Sequence, residues 1–132
     1  MPTLLDTHAW IWWVTQDSRL SRKAKARIDG AVQDTDLHLS MISIWELSKK
    51  VEKSQIVLDR DLDAWLDLAT SYKNLQLAEL TRQILTESCR LPKPFHGDPA
   101  DQIIVATARA QAAVLVTKDE RIRHYASVQT VW

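Results

Sequence analysis

The spacing of apolar and polar positions changes along the chain, and each change marks an element. Thr3 to Asp6 opens as a short buried strand. Thr7 to Thr15 then carries apolar side chains on nearly every face of a helix, the pattern of a helix that is buried or covered by a partner. Ser21 is placed to cap a basic helix, Arg22 to Asp29, with Gly30 ending it and its Lys and Arg side chains facing solvent. Leu37 to Ser40 reads as a second strand. In Ser43 to Lys53, the residues Ile44, Leu47, Ser48 and Val51 recur at spacings of three and four, which predicts an amphipathic helix. Asp61 caps a further helix through Thr70 with Leu62, Trp65, Leu66 and Ala69 on one face; Leu75 to Ala78 makes a third strand, and Thr81 to Cys89 the next helix.

The prolines at 92, 94 and 99 with Gly97 require a loop from Leu91 to Ala100, and Pro99 suits the first turn of a helix running to about Gln111. Val114 to Thr117 is a continuous apolar run of the kind buried on both faces, Glu120 to His124 a short helix, and Val128 to Val131 a last strand. Strands alternating with helices imply right-handed crossovers and a parallel sheet covered on both sides. The expected architecture is therefore α/β: three α/β/α layers around a central parallel sheet of about five strands, in a single domain spanning residues 1–132.

Composition narrows this picture. Hydrophobic residues are 45% and charged residues 26% of the chain, the balance of an ordinary globular protein. The longest apolar stretch, Ala9 to Val14, is far too short to span a bilayer, which excludes a membrane protein. The lone Cys89 forms no internal disulfide and no secretory leader precedes the first strand, so a cytoplasmic location is expected. Seventeen basic and seventeen acidic residues give a formal net charge of +0, so any grip on nucleic acid must come from local patches.

The chemistry-bearing residues are acidic. Asp6 ends the first strand, Asp119 follows the fourth, Asp101 opens the helix that feeds the fourth, and Glu46 lies in the helix after the second. In open α/β sheets the ligand site lies beyond the carboxyl ends of the strands, where strand order reverses. If the first and fourth strands are neighbours, Asp6 and Asp119 flank that point. Crowded carboxylates either raise a pKa or bind a cation, and an oxygen-only set suits Mg²⁺ or Mn²⁺. Such ions support in-line phosphodiester hydrolysis without a protein nucleophile. Asp6 carries the argument best, since it directly follows a buried run, where an unpaired carboxylate is costly. Asp119 alone reads as an ordinary cap, the pattern leaves Glu46 free to face either way, and Asp98 is assigned to capping or to supporting Asp101.

Four ordered motifs resemble the PIN-domain family, and specifically the toxin ribonucleases of VapBC-type toxin–antitoxin pairs. They are LLDTHAWIWW from Leu4, SMISIWELSKK from Ser40, FHGDPADQIIVATA from Phe95 and LVTKDERIRHY from Leu115, and the likeness spans essentially the whole chain. The resemblance implies that Asp6, Glu46 and Asp101 match the three principal acidic positions and Asp119 a more variable fourth. It further implies a Mg²⁺- or Mn²⁺-dependent endoribonuclease, usually a homodimer, inhibited by a cognate antitoxin whose tail lies in a groove near the site; such a groove would explain the apolar first helix. Ala100 and Gln102 depart from the aromatic and basic residues common at those positions.

Thr7, Ser43 and Thr117 stand beside the acidic positions and can orient carboxylates, or simply cap locally. Lys49, Lys118 and Arg121 are candidates for RNA contact, against the bland reading of solvated helix faces. Six tryptophans are mostly core, with one or two meeting a partner. His8, His38, His96 and His124 lack zinc-site spacing and are expected on loops or the surface. The competing functions are a PIN-like interaction module without catalysis, a DNA-directed nuclease, and a phosphoaspartyl enzyme using Asp6. Whether tRNA, rRNA or mRNA is the target is not legible.

Overall fold

The computed structural model describes residues 1–132. Its elements in chain order are β1 (Thr3–Leu5), α1 (Thr7–Val14), α2 (Arg22–Gln33), β2 (Leu37–Ser40), α3 (Met41–Glu52), α4 (Leu62–Thr70), β3 (Leu75–Ala78), α5 (Arg82–Ser88), α6 (Pro99–Ala110), β4 (Val114–Val116), α7 (Glu120–Arg123) and β5 (Gln129–Val131). The sheet has five strands, all parallel, in the order β3-β2-β1-β4-β5. β1 is the central strand; Leu4 stands opposite His38 on one side and Leu115 on the other.

Because side chains alternate along a strand, neighbouring residues feed opposite cores. Leu5, Leu37, Leu39 and Val116 pack against α1, α2 and α4, with Trp10, Ile28 and Trp65 filling that layer. Leu4 and Leu115 pack against α6 and α7 through Ile104, Val105 and Ile122. Helix α3 serves both, with Leu47 in the first core and Ile42 against the second. The expected three-layer α/β/α arrangement around five parallel strands is what forms.

Two readings of the pattern need correction. Gly30 does not end α2: it keeps an ordinary helical backbone, and the helix continues to Gln33, with Thr35 taking the positive φ of 53° beyond it. Ala31 is buried and Val32 packs on the core, and their burial outweighs the roughly 1 kcal/mol that a helical glycine costs. Nor are all the basic side chains of α2 merely solvated, since Arg27 donates to Thr3 Oγ1 at 2.9 Å and to Met1 O at 3.2 Å, fastening the helix to β1. The apolar character of α1 is likewise largely accounted for inside the chain. Ala9, Trp10 and Ile11 are buried, Trp12, Trp13 and Val14 lean on the same core, and Trp10 donates its indole N–H to Ala69 O at 3.0 Å.

Candidate active site

The sheet reverses its strand order between β1 and β4, and the carboxyl ends of these two strands hold the first carboxylate. Asp6 follows β1 with an extended backbone, gives its N–H to Val116 O at 3.0 Å and caps α1. Its side chain is 4% exposed, yet it accepts from Thr7 N at 2.8 Å and from Thr117 Oγ1 at 2.7 Å, bonds that make its burial tolerable. Thr7 then reaches α3: its hydroxyl donates to Glu46 Oε1 and lies 2.8 Å from Ser43 Oγ. With its only hydroxyl proton given to Glu46, Thr7 accepts from Ser43.

Two helix starts supply the remaining acids. Asp98 caps α6 by accepting from Asp101 N at 3.0 Å, and so fixes Asp101 in the first turn. Asp101 Oδ2 lies 2.7 Å from His96 Nε2 and 3.5 Å from Arg121 Nη2. Asp119 caps α7, accepts from the N–H groups of Arg121 and Ile122, and is 3.2 Å from the same guanidinium nitrogen. Arg121 thus bridges Asp101 and Asp119.

These groups act on one another electrically. Burial first, and then the nearby charges of Asp6, Asp101 and Asp98, push Glu46 up to about 7, although the Thr7 hydrogen bond opposes this. Asp101 is pushed up to about 6, again chiefly by burial, with His96 opposing and Asp6, Asp98 and Asp119 adding to the rise. Burial also acts against ionisation of Asp119, but the hydrogen bonds from Arg121 outweigh it and hold this carboxyl below the usual range. Burial, with the other carboxylates adding to it, makes Glu46 and Asp101 costly to ionise unless a counter-charge enters the centre.

The family profile described as PIN domain matches residues 3–128. The chain belongs to the PIN-domain family. Over 131 residues this PIN domain is 34% identical to Ribonuclease VapC22 of Mycobacterium tuberculosis, covering 98% of the chain and 97% of that protein. Its fold resembles VapBC2 from Rickettsia felis, solved bound to a DNA fragment from their promoter, with a TM-score of 0.68 at 17% identity, over 98% of this chain and 97% of that one. It also resembles FitAcB from Neisseria gonorrhoeae, with a TM-score of 0.69 at 18% identity, over 97% and 95%. These two likenesses are of fold.

The donor set of the PIN domain can be tested against the cation that its family implies. No three of its Asp, Glu, His or Cys side chains are close enough together to enclose an ion directly. The set is nevertheless hard oxygen with surplus charge, and Mg²⁺ or Mn²⁺ keeps several waters and needs only one or two direct carboxylates. The residues fit a partly hydrated divalent cation and not a closed protein cage.

The sequence reading missed two histidines of this PIN domain. His96 was expected on a loop or the surface but is half-buried against Asp101. His8 accepts from Lys118 N at 2.9 Å through Nε2, and its Nδ1 lies 3.6 Å from Asp6 Oδ2; burial lowers its pKa despite the attraction of Asp6. The signal for His8 was its position two residues after Asp6, whereas nothing in the spacing marks His96. Among the basic candidates, Arg121 is at the acids and Lys118 lies over Trp12, 5.7 Å from the ring centre. Lys49 is turned to Glu52 at 3.1 Å, and it is Lys50 whose charge reaches His8.

Proposed function

We propose that this protein is a metal-dependent endoribonuclease that cleaves RNA phosphodiester bonds and serves as the toxin of a toxin–antitoxin pair. The observation that carries this reading is the gathering of Asp6, Glu46, Asp101 and Asp119 beyond the carboxyl ends of β1 and β4, with Glu46 and Asp101 raised to about 7 and about 6. The name of the 34% identical relative, Ribonuclease VapC22, supports the same activity.

In this reading Asp6, Asp101, Glu46 and Asp119 would hold Mg²⁺ or Mn²⁺, one or two of them directly and the others through its waters. The chemistry such a cation supplies is charge neutralisation at the scissile phosphate and acidification of a water. The chain supplies position. Thr7 and Thr117 fix the two oxygens of Asp6, Thr7 with Ser43 behind it orients Glu46, and Asp98 sets the backbone from which Asp101 projects. Arg121 restrains the mutual repulsion of Asp101 and Asp119 and offers the positive charge nearest to an incoming phosphate. Lys118 lies on the other side of Asp119, with its main chain anchored on His8.

The antitoxin's place in this reading is a groove of about 690 Å³ between the end of α1 and α4, lined by Val14, Ile56, Val57, Leu58, Leu68 and Tyr72; it lies at the opposite end of α1 from Asp6, and not beside the acids as the family resemblance implies. Val57 is 90% exposed there and Leu68 51%, apolar side chains that a bound partner would cover. A homodimer has apolar surface available on α3, where Met41 and Trp45 are exposed. No helix is long and apolar enough to cross a membrane. The exposed thiol of the lone Cys89 is suited to the reducing cytoplasm, where we place the activity of this one domain.

The test is cleavage of a panel of tRNA, rRNA and mRNA by antitoxin-free protein with Mg²⁺ or Mn²⁺. Activity lost in EDTA and in a folded Asp101→Asn variant supports the reading and names the target. Folded, metal-loaded protein that cuts no RNA refutes it in favour of an interaction module or a DNA-directed nuclease.

A further inference from the structure

Behind Asp101, the loop leading to α6 and the turn after α7 enclose a second cleft of about 390 Å³. Lys93, Phe95, His96, Arg121, His124 and Tyr125 are its chemically informative walls; four of its nine lining residues are Lys, Arg or His and none is acidic. This reverses the sign of the neighbouring centre. The two share a wall, because His96 and Arg121 face the cleft and both approach Asp101 Oδ2, at 2.7 Å and 3.5 Å.

The cleft is also aromatic and well braced. Phe95 packs on His96 with ring centres 4.2 Å apart and on Tyr125 at 4.6 Å. Tyr125 is buried and donates its hydroxyl to Pro92 O at 2.6 Å, tying the proline loop to the segment after α7. Lys93 and His124 are exposed and belong to no ion pair in the structure. An unpaired lysine and an unpaired imidazole beside a fixed ring pair are suited to holding an unpaired nucleotide, the polar groups on phosphate and the ring on the base. The volume lies within the range of small-ligand sites, roughly 300–1,000 Å³, and admits a single nucleotide unit but no duplex.

We infer that this cleft is a nucleotide subsite, taking the phosphate and base of the unpaired RNA residue that adjoins the scissile linkage. Lys93, Arg121 and His124 face the phosphate, and the Phe95–His96 pair faces the base. The inference rests on the acidic centre being the ribonuclease site. It supplies what that centre lacks: a chain of net charge +0 with its acids clustered would repel a polyanion unless positive charge stood immediately beside them.

The experiment is fluorescence anisotropy with a mixed-sequence, single-stranded 2′-O-methyl oligonucleotide, which resists cleavage, in EDTA so that binding is read without catalysis. Wild type is compared with a Lys93→Ala, His124→Ala double variant, with Phe95→Leu, and with an Arg22→Ala, Lys23→Ala control on α2 in the opposite layer. The double variant is expected to bind about tenfold more weakly with a shallower salt dependence, Phe95→Leu also to bind more weakly, and the control to match wild type. Cleavage of substrate RNA by the double variant should lose kcat/KM by a similar factor, mainly through KM. Binding and KM within twofold of wild type in the double variant overturn the subsite and leave the nuclease reading standing. Loss of inhibition by an antitoxin with RNA binding intact overturns it in favour of a protein-contact role. Weakened oligonucleotide binding in a protein that cuts no RNA with either metal overturns the nuclease reading and with it a subsite beside a scissile linkage, leaving only a single-strand-binding cleft.

Discussion

Thr7 is where three parts of the candidate site meet: its N–H holds Asp6, its hydroxyl holds Glu46, and Ser43 stands behind it. Thr7→Val keeps the shape but removes the hydroxyl, and should lower cleavage roughly tenfold or more with little loss of fold, while Thr7→Ser restores most of it; steady-state rates for the two variants check this. Glu46 has a consequence for stability that is separable from activity. In the folded chain it keeps its proton up to about 7, against an ordinary value of 4.5, so raising the pH through that window deprotonates the unfolded state first and erodes stability. Below 4.5 there is no such loss. In EDTA, Glu46→Gln should therefore gain on wild type as pH rises from 4.5 to 7, by on the order of 2 kcal/mol once partial solvent access is allowed for; denaturant unfolding at three pH values measures it. Asp6 was legible from sequence because a carboxylate straight after a buried run needs a reason. His96 was not, because only the return of the proline loop onto the start of α6 brings it to Asp101.

Helix ends show the same division between local and distant causes. Ser21, Asp61, Thr81, Asp98 and Asp119 all cap as their side chains allow, since a cap depends on residues two or three positions away. Gly30 misled because the packing of Ala31 and Val32 decides whether α2 continues, and packing is not a local property. That misreading yields a test. A Cβ at Gly30 would meet nothing within 4 Å and the position is exposed in a helix, so Gly30→Ala should add about 0.5–1 kcal/mol and raise Tm by a few degrees in a thermal melt. Asp98→Ala has the opposite sign, costing about 1 kcal/mol of stability through the lost cap. It should also depress cleavage more than stability, since it frees the turn that presents Asp101; activity assayed well below the melting temperature separates the two effects.

At the scale of the whole molecule, the layer architecture was readable from the alternation of strand and helix. The strand order needed the additional supposition that β1 and β4 are neighbours, and the sheet has them so. A cation held by acids from separate elements binds the folded chain alone, so Mg²⁺ or Mn²⁺ at a hundred times its dissociation constant should stabilise by about 2.7 kcal/mol, visible as a rise in Tm that Asp6→Asn and Asp101→Asn abolish. The pairing of β1 with β4 also bears on how a cell makes this protein. Asp6 is anchored to Val116 through the backbone and to Thr117 through the side chain, a partner 111 positions further along the chain. Those contacts are absent from any nascent chain in which Val116 and Thr117 have not yet emerged, so Asp6 waits without its clamp until they do. Synthesis thereby orders the site: the acidic centre can assemble only after the residues around β4 have emerged, 111 positions behind the acid that they clamp.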